Sequence, residues 1–501
     1  MTAQTMLHRA QRFTPILAGL SRRIDALATP VFFLLLATFV WPATAQQRAG
    51  EIQHLQGMAT AQQSGGTLRF LVKGDAIAEG DVITTTEKGF AILAFSDGGK
   101  ITLRPSSTFA VDKYAHDAGS EVAFMRLIRG GLRAVTGLIN KRSPGAVRFT
   151  TSTATIGIRG TSFDARICGE DCRLEERAAQ GRPNPPVAVP PADSVVARVI
   201  RVDGEATAVQ TGKPARPLEQ GSPLYPGDEI KTGPQGIAVL GFRDQTRLSL
   251  NPQTIFRING FSYNRPKEPE GFGLHLLKGG LRVFTGLIAK KDPKLVFIQT
   301  RTSTIGIRGT GMDISCEGPC VDASVEPTSS GSEAGAAALM PERSEGLFMR
   351  TWQGTTYFQA ASGELDVVLD STGFVGPDKN ARLLASAPEF MLNFAAPRPD
   401  QIEMDWENLF GTRVSAIEDG LYLFVRDGHV SLSAALARSD YGIGETGYIG
   451  ADNIPRRLES VPRFISDDPF PIPELFTQSD TRILQLFGAT LGQPGQDICR
   501  L

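Results

Sequence analysis

The sequence predicts an all-β protein made of tandem β-solenoid-like or sandwich modules, and three observations carry that prediction. Short runs rich in apolar, aromatic and β-branched residues, such as Phe90–Phe95 (FAILAF) and Ile101–Arg104 (ITLR), read as strands. Turn residues punctuate these runs, as in Ser96-Asp97-Gly98-Gly99, where Asp and Gly tolerate a positive φ. Finally, the chain repeats itself.

The repetition is extensive. Gly57-Met-Ala-Thr-Ala returns as Gly204-Glu-Ala-Thr-Ala, and the same offset carries Gly80-Asp81, Phe95, Asp97 and Pro105 onto Gly227-Asp228, Phe242, Asp244 and Pro252. After a two-residue insertion, GGLRAVTGLINK (Gly130–Lys141) is answered by GGLRVFTGLIAK (Gly279–Lys290), and STATIGIRGTSFD (Ser152–Asp164) by RTSTIGIRGTGMD (Arg301–Asp313). A second, shorter repeat aligns Gly346–Met391 with Gly420–Ile465 without a gap. The order is long, long, short, short.

In chain order, residues 1–45 read as a secretory signal. A basic stretch ends at Arg22-Arg23, Val31–Trp41 is almost wholly apolar, and Ala43-Thr44-Ala45 predicts cleavage after Ala45. An uncleaved signal anchor is the alternative, although the apolar run is short for a membrane span of roughly 20 residues. Residues 46–174 form the first long module and 195–321 the second, separated by a Pro-rich linker over 175–194 that is expected to be extended. A flexible linker follows over 322–345, then a short repeat over 346–391, a connector over 392–419, the other short repeat over 420–465 and a tail over 466–501. Helical periodicity is weak, with Asp480–Phe487 the best candidate.

The 501 residues exceed one ordinary core, and 41% hydrophobic with 21% charged residues is a soluble globular composition. The net charge of −1 comes with no basic stripe, which argues against nucleic acid as a partner. In an exported chain, Cys168-x3-Cys172 and Cys316-x3-Cys320 are expected to close as small disulfide clips. A zinc site there would need more ligands, and no His is near. A redox pair would more usually have a two-residue gap. Cys499 is left over.

The five histidines are scattered, with no metal spacing and no neighbouring nucleophile, so no cofactor and no metal are expected. Asp366, Asp370, Asp405 and Glu407 are the carboxylates that a polysaccharide hydrolase would need to bring together in a groove.

The Gly-Asp turn, Phe-x-Asp before a strand ending in Pro, Gly-Gly-Leu-Arg-x-x-Thr-Gly and Thr-Ile-Gly-Ile-Arg-Gly-Thr together resemble the FecR domain family. The likeness covers about residues 50–165 and 197–315. It implies an extracytoplasmic, solenoid-like sensory or scaffold domain that acts by binding proteins and does no catalysis. Signalling members of the family carry an intracellular helical segment that handles a sigma factor. Only about 25 residues precede the apolar run here, so the chain looks more like the exported members without that segment.

The family also closes the motif with a hairpin, for which Leu347–Phe358 and Leu421–Leu432 are two candidates. If each short unit closes one long unit, 420–465 returns to the first module and the second is nested inside it. Alternatively Val195–Ala208 closes the first module and the C-terminal third stands alone.

Within the motif, Gly157, Arg159, Gly160 and Thr161 recur as Gly306, Arg308, Gly309 and Thr310. Gly160 permits a turn or a close approach of two backbones. Arg159 and Arg308 suit a structural clamp, with Asp164 and Asp313 as expected partners, or contact with an anionic ligand. The sequence therefore predicts a non-enzymatic protein of the periplasm or cell surface whose partner is an envelope protein or a surface polymer. A membrane partner enters only if the N-terminal segment stays uncleaved.

Overall fold

The computed structural model describes residues 48–473 apart from 118, 144, 180–194, 265–267, 309–310, 325–344, 413–415 and 436. The signal segment with Ala45, the Asp480–Phe487 candidate helix, Cys499, Gly309 and Thr310 lie outside the described residues. Among the described residues there are two large sheet systems, of 16 and 17 strands.

The second long repeat shows the architecture plainly. Its strands lie in two layers, and the chain winds between them. Ala197–Asp203, Ile237–Phe242 and Arg247–Leu250 belong to one layer. Ala206–Val209, Glu229–Thr232 and Ile255–Ser262 belong to the other. The long strand Gly271–Phe284 takes part in both, pairing with Ile255–Ser262 through its first half and Arg247–Leu250 through its second. Inward residues from the two layers, including Leu240, Phe256, Leu274, Ile305, Ile314 and Phe358, fill one apolar core. Strands such as Ala206–Val209 and Glu229–Thr232 alternate buried and more open residues, whereas Ile237–Phe242 is buried almost throughout.

The first repeat has the same plan and its own core, but its closing strand comes from far along the chain. Thr155–Cys168 pairs antiparallel along its length with Gly420–Ser433, from Thr155 opposite Ser433 to Cys168 opposite Gly420. Leu421, Leu423, Val425, Val430 and Leu432 from that strand belong to the core of the first repeat. The chain leaves the first sheet after Cys168, builds the second between Ala197 and Leu384, and then returns.

The expected closing hairpins take a different form. Gly346–Gln353 does not fold back on Thr356–Ala360; it pairs with Gly311–Glu317, while Thr356–Ala360 pairs with Thr304–Ile307. Gly354, at φ +72°, is a corner where the chain crosses from one layer to the other. Gly428, at φ +79°, takes the same place within Gly420–Ser433. The partner segments 155–168 and 304–317 are long enough to pair with both halves, so each motif and its closing segment form one bent two-stranded ribbon.

Short helices were missed in the sequence. Leu138–Arg142 and Leu287–Lys291 each form about one turn inside the Thr-Gly-Leu-Ile repeats. Asp97 starts the first: its carbonyl accepts from Leu138 N at 2.8 Å and its Oδ2 from Ile139 N at 3.3 Å. Its Oδ1 also accepts from Gly99 N, which closes the preceding turn. A Cβ on Gly137 would lie 2.4 Å from Asp97 Cγ, so the Phe-x-Asp and Thr-Gly repeats answer one another.

Glu170–Ala179 is also helical, and it takes in the first five residues of the segment expected to be an extended linker. Acidic residues in its first turn and Arg177 in its last suit the helix dipole. The expected disulfides form where the strands Thr155–Cys168 and Gly311–Glu317 end, Cys168–Cys172 with Cα atoms 5.4 Å apart and Cys316–Cys320 with 5.2 Å. Each closes a short loop, so reduction by dithiothreitol should lower unfolding free energy by only about 2 kcal/mol per bridge, read from urea midpoints with and without the reductant.

Candidate functional site

In the first repeat the Thr-Ile-Gly-Ile-Arg-Gly-Thr stretch sits at the bend of the ribbon. Ile156 and Ile158 point into the core, while pairing with the closing strand shifts register between Arg159 and Ser162. At the bend the two backbones nearly touch: a Cβ on Gly160 would lie 2.5 Å from Gly428 Cα. The Gly160 carbonyl accepts from Thr136 Oγ1 at 2.7 Å and Asn140 Nδ2 at 2.6 Å, which ties the corner to the short helix. Gly157 and Gly306 face Ser431 and the Tyr357 ring, with no room for a Cβ. Gly160→Val should therefore cost about 1–3 kcal/mol through forced separation of the strands, measurable as a lower melting temperature.

The expected partner of Arg308, Asp313, is not the observed one. Of Arg159 and Thr161 only the backbone is described. Arg308 lies over the Tyr357 ring and pairs with Asp366 at 3.0 Å and with Glu364, on the exposed face of the second repeat. Exposed pairs of this type stabilise by about 0–1 kcal/mol.

Asp164 is buried instead between Arg133, at 2.8 Å, and Arg426, at 2.6 Å. Burial alone would raise its pKa, but the two guanidinium charges hold it down at about 2. In the second repeat Asp313 keeps Arg282 only at 3.8 Å and accepts from Trp352 Nε1 at 2.9 Å. Trp352 and Arg426 occupy aligned positions of the two short repeats. Burial therefore wins at Asp313 and its pKa is raised.

A segment after each short repeat straps the adjoining sheet. Asp468 pairs with Arg104 and Arg133, and the Phe470 ring packs on Phe90 and under Arg104. In the second repeat, Arg247 donates to the Ile402 carbonyl at 2.9 Å and lies over Trp406, while Arg282 lies over Phe394. Asp405 caps the helix Trp406–Phe410 through Asn408 N. Of the carboxylates considered for hydrolysis, Asp366 is thus paired to Arg308 and Asp405 caps a helix; Asp370 lies at 3.7 Å from Arg350.

The two repeats meet over a buried charge cluster that sequence reading did not single out. Arg198, on the first strand of the second repeat, pairs with Glu445 and donates to the Asp440 carbonyl at 3.2 Å. Arg457 donates to that carbonyl at 2.6 Å and stands 3.3 Å from Glu445. Burial would raise the Glu445 pKa, yet Arg198 and Arg457 lower it. Burial and the neighbouring Arg198 charge depress Arg457 to about 10. Beside the cluster, Tyr225 Oη accepts from Ile443 N at 3.1 Å and stands 3.3 Å from His429 Nε2. Burial pushes the Tyr225 phenol up.

Beside this cluster, and sharing Tyr225 and Asp440 with it, lies a groove of about 1070 Å³. One wall is the motif corner of the first repeat, with Lys141, Gly160 and His429; the other is the second repeat's edge, with Lys213, Pro217 and Tyr225. Pro214, Pro217, Pro223 and Pro226 stiffen the second wall and remove four N–H donors from it. A signal for this wall was present in the sequence, since the aligned positions of the first repeat hold Thr67, Phe70, Ala76 and Glu79. The groove offers flat apolar contact flanked by both signs of charge, suited to holding an extended chain. Among the described residues no group of three or more His, Cys, Asp or Glu is placed to hold a metal ion, and no helix is long and apolar enough to cross a membrane.

Comparison with known proteins gives one family. Residues 81–181 and 228–327 each match the model described as FecR protein. No curated protein matches the chain. Two crystal structures of a candidate anti-sigma factor from Parabacteroides distasonis are similar at 10% identity and a TM-score of 0.22. The match covers 32% of this chain and 59% of that one, so it spans less than two thirds of that protein. Both family matches contain a motif corner and fall in the two all-β repeats, so the chain carries two FecR-matching regions in tandem.

Proposed function

We propose that the chain is a non-enzymatic binding or scaffold protein outside the cytoplasmic membrane, and that it holds an envelope protein or surface polymer in the groove between its two repeats. The observation that carries this reading is the groove itself, about 1070 Å³, walled by both repeats. Asp440, which lines it, is held through its carbonyl by Arg198 and Arg457. A site whose walls belong to two modules recognises shape along its length, which suits an extended ligand.

The test is photocrosslinking in intact cells. A photoreactive residue at Lys213 or Ser431, both lining the groove, should give a discrete heavier adduct. The same residue at Lys113, on the exposed face of Thr108–Ala115, should not. Adducts no stronger from the groove than from Lys113 would remove the proposal. Location outside the membrane is checked by mass spectrometry of the mature protein, with a first residue of Gln46 as the expected result.

A further inference from the structure

The two long repeats differ at one edge. In the first, Arg69–Phe70 is the outermost strand of its sheet and pairs only with Ala59–Gln62 among the described residues, with Thr60 opposite Phe70. Side chains pointing outward from this edge are apolar: Met58 is 59% exposed, Leu68 54%, Phe70 71% and Val72 61%. Leu71 between them is buried, so the exposed row has strand periodicity.

The second repeat has the same hairpin, with Thr207 opposite Pro217, and the same Arg–Asp pair beneath it, Arg69–Asp81 in one and Arg216–Asp228 in the other. Yet the four aligned positions there are Glu205, Ala215, Pro217 and Glu219. Proline and charge are how proteins prevent an edge strand from pairing with another chain. One repeat carries these guards and the other carries a row of apolar residues in their place.

We infer that the Leu68–Val72 edge pairs with the same edge of a second copy of this chain, making a two-fold dimer. An antiparallel pairing centred on Phe70 is self-complementary. It sets Phe70 against its twin, Leu68 against Val72 and Thr67 against Lys73, so no like charges face each other. The central charge, Arg69, is already engaged by Asp81 within its own chain. Pairing covers the exposed row on both copies and joins the two sheets edge to edge. The blunted edge of the second repeat limits growth to two copies.

Sedimentation of the full-length protein tests this. The expected result is a concentration-dependent dimer at or below about 100 µM, an affinity of roughly 5.5 kcal/mol or tighter. The double variant Phe70→Pro/Val72→Glu imports the second repeat's own residues and should be monomeric, with an unchanged circular dichroism spectrum. A Phe70→Cys variant should form an intermolecular disulfide on mild oxidation, whereas Pro217→Cys should not. A wild-type monomer throughout that range would overturn the inference, as would a dimer that survives Phe70→Pro/Val72→Glu. Flotation of monomer with phosphatidylcholine vesicles, abolished by that double variant, would overturn it too and assign the patch to a lipid surface. If the double variant misfolds, absence of the Phe70→Cys crosslink is the deciding negative.

Discussion

Removal of residues 416–501 is expected to unfold the first repeat, more than 240 residues away in sequence, and to leave the second repeat folded. The deleted segment contributes Leu421, Leu423, Val425, Val430, Leu432, Tyr441 and Ile449 to the core of the first repeat. At about 1.5–3 kcal/mol for each buried side chain, the loss is on the order of 10 kcal/mol or more, comparable with the whole stability of an ordinary domain. It also strips Thr155–Cys168 of its backbone partners on one side and removes Asp468 from Arg104 and Arg133. The second repeat keeps its own closing strands, Gly346–Gln353 and Thr356–Ala360. Hydrogen exchange read by mass spectrometry should show peptides from 90–135 losing protection and those from 237–314 retaining most of theirs. Native-like protection in 90–135 would contradict the pairing.

The second large effect is expected at Asp164. Asp164→Ala leaves Arg133 and Arg426 buried without their shared carboxylate, and should cost about 3–5 kcal/mol. The aligned change Asp313→Asn should cost about 1 kcal/mol, because an amide oxygen can still accept from Trp352 Nε1. Equal penalties in urea unfolding would show that the two sites are equivalent after all.

The pH responses should have opposite signs. Asp164 is depressed to about 2, so its stabilisation is complete above the unfolded-state value near 4 and is lost as pH falls from about 4 to 2. It amounts to on the order of 2 kcal/mol. Asp313 is raised, so its contribution is present below about 4 and is lost as pH rises through its folded-state value. Between pH 5 and pH 2 the first repeat should weaken relative to the second, seen as a growing gap between their exchange rates. The Asp164→Asn variant should narrow that gap.

Much of the fold was legible because self-comparison supplied what a single pass could not. The apolar run Phe90–Phe95, bounded by turn residues, is a strand, and the motif spacing points to the family whose model matches residues 81–181 and 228–327. The cysteine pairs followed from their spacing and are bonded in the structure.

What was not legible depended on direction in space. Leu347–Phe358 looks like a hairpin because glycine separates two apolar runs. A glycine at positive φ serves equally to turn a chain back or to carry it round a corner between layers, and only the long partner 304–317 decides which. The short helices escaped because Leu138–Arg142 and Leu287–Lys291 are too brief to show a helical period. Pairing of Arg308 to Asp313 was expected from nearness in sequence, yet strand alternation and the bend put the two on different surroundings, and Arg308 meets Asp366. The Arg198–Glu445–Arg457 cluster joins residues nearly 250 positions apart, which no local pattern announces.

The ribbon of Thr155–Cys168 with Gly420–Ser433 also sets an order of events during folding. Joining strands so distant in sequence is slow when the intervening chain is open, since closure entropy grows with the length of the loop. Once the second repeat has folded, its compact body replaces most of that loop, and the ends to be joined lie at Ala197 and Leu384 of one structured unit. The first repeat is therefore made first by the ribosome and completed last. Until residue 433 has emerged, its half-built core stays open to proteases and to chaperones that hold unfinished sheets.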